Sequence, residues 1–232
     1  QPSTALKELI DKTISDLKTA GIWQITDKLH KWDLHTEQAS LLDWKNPAHD
    51  ATNVNNSYLI GGYGLITFPS TNYLDLNFIP TEDCENASLN NMAFSIDDLA
   101  SMHVATANFG AYNKAGNSLL AFRTMEVGAR RPWLWLNTTS QKVWNNISVP
   151  DILYYNERQD SFGVRIYKDG EGLGTYGSAT SRGMIDNDLI LGGHRSANGK
   201  VNLYGIATST LWLGKSFTTE QRVAWYEIMN YW

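Results

Sequence analysis

The chain has 232 residues, and at 42% hydrophobic and 19% charged it can build a core and falls outside the disordered class. Nineteen basic against twenty-four acidic residues give a formal charge of −5, which argues against a nucleic-acid surface, where clustered Lys and Arg must replace counterions. No run approaches the about 18 apolar residues of a membrane-crossing helix, and a lone cysteine, Cys84, excludes an intrachain disulfide and any multi-cysteine metal site.

The first element is an amphipathic helix. Leu6, Leu9, Ile10, Ile14 and Leu17 recur at three-to-four spacing, with Lys7, Glu8, Asp11, Lys12 and Asp16 on the other face. Thr4 is a candidate N-cap and Gly21 a stop. The start, Gln1-Pro2-Ser3-Thr4, has neither Met nor a signal-peptide apolar region, the pattern of a piece of a longer chain. A second helical stretch is expected through Ile25–Leu29 and another turn or two through Glu37–Trp44, with Pro47 ending the region. Residues 1–49 therefore read as a helical segment and 50–232 as a second unit.

From about residue 50 the pattern switches to period two. Leu74, Leu76 and Phe78 alternate with Tyr73, Asp75 and Asn77, and Leu119–Thr124 is another short run. Trp133-Leu134-Trp135-Leu136 puts two residue types on two faces. Phe162, Val164 and Ile166 face one way, Arg165 and Tyr167 the other, before the hairpin turn Lys168-Asp169-Gly170. Leu189–Leu191 and Gly205–Leu213 are further strands, with Asn198-Gly199 a second turn. Many short strands at this spacing predict an antiparallel sandwich or barrel over about 50–216. The chain closes with a helix opened by the capping box Thr218-x-x-Gln221, with Trp225, Met229 and Trp232 on one stripe that should dock on the sandwich.

Catalytic patterns are scarce. Glycoside hydrolysis needs two carboxylates on one face, about 5 Å apart for retention or further for inversion. The pattern Glu-x-Asp-x-x-Glu does not occur, and Glu82-Asp83-Cys84-Glu85 follows Pro80 as a solvated loop. Asp186 and Asp188 would share a face and offer oxygens that calcium could use, but without the glycine of a ligand loop. Neither Gly-x-Ser-x-Gly nor His-Glu-x-x-His is present. His30 and His35 are not at a helical ligand spacing, and His49, His103 and His194 stand apart. Cys84 among acids has its thiolate disfavoured. No enzyme, metal or cofactor is expected.

The remaining signal is aromatic. Nine Trp, eleven Tyr and twenty Asn with little charge form a profile associated with sugar-binding surfaces. Rings stack on the apolar faces of pyranoses while Arg, Asn and Asp bond the hydroxyls. Trp133 and Trp135 share one face, Trp144 follows in the next segment, and Arg165 and Tyr167 share a face. Either the two tryptophans or Leu134 and Leu136 fill the core; if the leucines do, the rings lie on the sheet surface. Trp23, Trp32, Trp44, Trp225 and Trp232 read as packing residues.

Three stretches carry a resemblance. Leu17-Lys18-Thr19-Ala20-Gly21-Ile22-Trp23 through Leu29, followed by His35 to Pro47, is the first. Asp50-Ala51-Thr52-Asn53-Val54-Asn55, then Gly61-Gly62-Tyr63-Gly64 and Ser70 to Pro80, is the second. Gly214-Lys215-Ser216-Phe217-Thr218-Thr219-Glu220-Gln221 is the third. Together they resemble a family of phage and prophage tail-fibre (receptor-binding) virion proteins. The resemblance covers residues 17–80 and 189–232 and supplies no catalytic residue. It implies a concanavalin A-like (laminin G-like) jelly roll, trimeric in the intact virion protein and acting outside the bacterial cell.

The expected function is therefore a non-catalytic carbohydrate-binding domain that recognises a bacterial cell-surface glycan, with Trp133, Trp135, Trp144, Arg165 and Tyr167 as the contact surface. Two alternatives stay open. One is a glycan-degrading enzyme of the same fold whose acids come from distant strands; the other is a structural decoration domain.

Overall fold

A computed structural model describes residues 2–34, 36–55, 58–60, 64–67, 72–98, 109–125, 131–138, 142–143, 152–161, 163–176, 179–203 and 206–232. Eighteen strands and four α-helices lie among them. One antiparallel sheet joins, in order, β1 (Thr26–Lys31), β18 (Thr210–Gly214), β6 (Met92–Asp98), β11 (Ile152–Arg158), β12 (Val164–Lys168) and β13 (Glu171–Tyr176). The larger sheet runs β10 (Lys142–Val143), β9 (Arg131–Thr138), β8 (Leu119–Met125), β7 (Phe109–Tyr112), β14 (Ile190–Leu191), β5 (Tyr73–Asp75) and β2 (Thr52–Val54), with β15 (Gly193–Arg195) and β16 (Val201–Leu203) attached beside β7. A third small sheet holds β17 (Ile206–Thr208), β4 (Gly64–Thr67) and β3 (Tyr58–Ile60). The helices are α1 (Thr4–Thr19), α2 (Glu37–Leu41), α3 (Pro80–Asp83) and α4 (Thr219–Met229).

Period-two apolar residues of both sheets meet in one core. Leu74, Leu76 and Phe78 from the β5 region join Phe94, Phe109, Phe122, Leu134, Leu136, Ile166, Leu211 and Leu213, all fully buried. A second core lies on the other side of the smaller sheet. Leu29, Ala93, Tyr155 and Trp212 there receive Leu17 of α1 and Trp225, Ile228 and Met229 of α4. The smaller sheet is thus apolar on both faces, a requirement for any sheet covered on both sides. At about 1.5–3 kcal/mol per fully buried large apolar side chain, both layers matter to stability.

The ends of elements follow local chemistry. Ser3, one residue before the expected cap, accepts from the Leu6 amide, and Gly21 (φ 69°) stops α1 as expected. Thr218 and Gln221 form the reciprocal capping box of α4. The β12–β13 hairpin turns on Asp169 (φ 49°) and Gly170 (φ 83°), both in the left-handed region that such a tight turn demands.

Two expectations are corrected. Ile25–Leu29 is not helical: a short 3-10 turn ends at Ile25, and Thr26–Lys31 forms β1, paired with β18. All six β1 residues are buried, because the strand lies between the two cores, and its polar residues disguise it as an amphipathic helix face. The expected boundary near residue 50 therefore does not divide the fold, since β1 is an edge strand of the smaller sheet.

Candidate functional site

Leu134 and Leu136 of β9 enter the inter-sheet core, so the alternation puts Trp135 on the outward face of the larger sheet. Trp135 is half-buried. The ladder sets it opposite Ala121 of β8, then Gly110, Ile190 and Asp75 in successive strands. Trp133 stands opposite Arg123 on one side and Val143 on the other. The side chain of Trp133 and all of Trp144 lie outside the described residues, as do His35 and His103.

The far end of this row is polar. Arg195 pairs through Nη2 with Asp75 Oδ2 at 2.6 Å and donates from Nε to the Asp188 carbonyl at 3.3 Å. Burial pushes the Asp75 carboxyl up; the Asn77 amide and the Arg195 guanidinium oppose, and Asp188 reinforces the rise. The rings of Tyr112 and His194 meet edge to face at 5.6 Å, and Asn202 Nδ2 lies 3.3 Å from His194 Nε2. Asp186 Oδ1 accepts from the Lys114 amide at 2.6 Å. Among the described residues no group of three or more His, Cys, Asp or Glu is arranged to hold a metal ion.

Arg165 and Tyr167 lie elsewhere. Val164 and Ile166 point into the inter-sheet core, so the other two occupy the opposite face of the smaller sheet, beside α4. There they serve Glu157, which is fully buried. Its Oε1 accepts from the Tyr167 hydroxyl at 2.9 Å, and Oε2 from Tyr155 and from Gln159 Nε2, both at 3.2 Å. Arg165 Nη1 and Arg222 Nη1 stand 3.5 and 3.8 Å from the carboxylate, and the Arg222 guanidinium covers the Tyr167 ring at 3.9 Å. Trp135 therefore does not share a surface with Arg165 and Tyr167, because the core separates them. Strand alternation shows that two residues share a face, but not which sheet owns the strand.

Sequence reasoning did not single out Glu157, although Tyr155-x-Glu157 is the same alternation one strand earlier. Nor did it reach the Asp75–Arg195 pair, whose members are 120 residues apart.

No protein-family profile and no curated protein matches the chain. Solved structures do. The receptor binding domain of botulinum neurotoxin C/D mosaic serotype is similar over 89% of this chain and 52% of its own, at 12% identity and TM-score 0.58. Domain 4 of a GH43 extracellular arabinanase from Geobacillus stearothermophilus, in complex with arabinotriose, is similar over 86% of this chain and 97% of its own, at 13% identity and TM-score 0.57. A Trypanosoma rangeli sialidase mutant displaying trans-sialidase activity is similar over 96% and 39%, at 12% identity and TM-score 0.57. The chain spans about half the length of the toxin domains it matches. The shared property is the fold, a β-sandwich, which in this chain carries a helix near each end.

Proposed function

We propose that this chain is a non-catalytic carbohydrate-binding domain that recognises a bacterial cell-surface glycan, carried by a phage tail fibre or related virion protein that is trimeric when intact. The observation that carries the reading is the position of Trp135: with Leu134 and Leu136 filling the core, strand alternation turns its half-buried indole to the outward face of the larger sheet. A ring so placed can stack on the apolar face of a pyranose. Support for the ligand class comes from similar folds, one in complex with arabinotriose, another in a type C neurotoxin whose cell entry depends on two ganglioside molecules. The virion setting rests on the three sequence stretches described above. Modest affinity per site suffices there, because several copies raise the effective concentration.

Titration of host surface polysaccharide into wild type and Trp135→Ala tests this. Loss of a stacking ring should weaken binding by about 1–3 kcal/mol, by analogy with an aromatic platform under a base. A wild type that binds no polysaccharide rejects the recognition reading, and a Trp135→Ala protein that unfolds assigns the ring to packing.

A second reading draws on Asp75 and Asp188, acids from distant segments that act on one another across the outward face of the larger sheet. A glycan-degrading enzyme of this fold would use such a pair. Release of reducing ends from the polysaccharide, abolished in Asp75→Asn, would favour it.

A further inference from the structure

His30 occupies the inner face of β1, between Lys28 and Trp32. Its imidazole stacks on the Trp32 indole, centroids 5.2 Å apart and 6° from parallel. It is fully buried, yet among the described residues neither ring nitrogen has a hydrogen-bond partner of full geometry, the Leu42 backbone being the nearest approach, and Trp32 Nε1 has none either. Buried polar atoms are nearly always paired, so a buried imidazole without a well-formed hydrogen bond is a costly arrangement.

The segment above it is fastened to β1 by few bonds. Residues 36–51 close over the edge of β1 that β18 leaves open. The Trp44 amide donates to the Leu29 carbonyl at 2.9 Å, and the Leu29 amide to Asp43 Oδ1 at 3.3 Å. Ser40 Oγ donates to the Trp32 carbonyl at 3.1 Å. Lys28 Nζ donates to Asp43 Oδ2 at 3.0 Å and to the His49 carbonyl at 2.7 Å, wholly out of solvent.

Charges around His30 do not welcome a proton. Burial is the main force that keeps the ring neutral, Lys28 acts in the same direction, and the Leu42 backbone alone favours the cation. Asp43 is occupied by Lys28 and by the amides of Leu29, Lys45 and Asn46. Asp50 Oδ1 accepts from the Asp43 amide, and Asp83 Oδ2 from Ile79. His49 Nδ1 contacts the Asn77 carbonyl at 2.9 Å. Asp33 pairs with Lys31 at 3.1 Å and is not among the charges that act on His30. From β18, the residue paired with His30 is the apolar Leu211.

We propose that residues 36–51 are an acid-released strap, and that protonation of His30 detaches them from the edge of β1. Opening hydrates both ring nitrogens and exposes the Lys28 ammonium to water, which screens its charge from the new cation two residues along β1. The imidazole titrates lower in the closed state than in the open one, so the closed state binds fewer protons. Its stability is complete above the ordinary histidine value of about 6.5 and falls as pH drops below it. One linked proton raises the open fraction by up to about tenfold per pH unit.

Amide hydrogen exchange over residues 36–51, corrected for intrinsic rates, at pH 7.5 and 5.0 is the test. His30→Phe keeps an aromatic ring on Trp32 but cannot titrate. The expected result is acid-enhanced exchange of the strap in wild type and none in His30→Phe. Equal responses, or protection of the wild-type strap at pH 5.0, would overturn the proposal. If His30→Phe does not fold, an NMR titration of wild type decides: a His30 ring that protonates near 6.5 while the strap stays protected also overturns it.

Discussion

The Tyr167 hydroxyl donates to Glu157 Oε1 at 2.9 Å, and this bond ties a ring expected on an open surface into the joint between the smaller sheet and α4. Glu157 gathers two tyrosines, Gln159 and two arginines, one of them from α4. Removal of the Tyr167 hydroxyl leaves a buried carboxylate oxygen short of a donor. Tyr167→Phe should lower stability by about 1–2 kcal/mol in urea unfolding and leave polysaccharide affinity unchanged, because the joint lies across the core from Trp135.

A second joint links the sheets directly. Arg158, fully buried on β11, donates from Nε to the Leu136 carbonyl of β9 at 2.8 Å, and to the carbonyls of Asp160 and Ala179 at 3.2 and 2.5 Å. Burial pushes its guanidinium pKa down to about 10, with Asp160 opposing. Arg158→Met strips three acceptors of a donor at once and should cost about 3–5 kcal/mol, read as a shift in the chemical-denaturation midpoint at constant slope. Arg158→Lys should restore little, because one ammonium lacks the planar fork that reaches three carbonyls.

Two residues before Arg158 on the same strand, Asn156 is fully buried, and among the described residues neither amide atom has a hydrogen-bond partner. Phe94 and Ile166 are its ladder partners. An unpaired buried amide costs about 1–3 kcal/mol relative to an apolar group of similar shape. Asn156→Leu should therefore raise the unfolding free energy by about 1 kcal/mol or more, against the usual direction for core substitutions.

Cys84 gives a chemical check on packing. Burial first, then the charge of Asp27 and a hydrogen bond with it, push its thiol pKa up. Asp27 is itself held by the amides of Glu85, Asn86 and Ala87 at 2.8–3.0 Å. The native protein should resist iodoacetamide at pH 8, where an exposed thiol reacts readily, and label fully only in denaturant. Rapid native labelling would mean that the 84–87 loop opens.

Period-two runs, turn residues and the capping box belong to a few neighbouring residues, and for that reason they were legible in the chain alone. The sandwich, the 169–170 hairpin, α1 and α4 follow from them, as does the core role of Trp32 and Trp225. Acidic Cys84 surroundings were readable too, although burial proves the larger cause. Sheet membership was not readable. Strand alternation put Arg165 with Tyr167 and Trp133 with Trp135, but only long-range pairing assigns β12 to the sheet under α4 and β9 to the other. The strand Thr26–Lys31 was missed for a related reason. Its polar residues are buried by partners up to 186 positions away, as Thr26 is by Trp212, and no local window contains those partners.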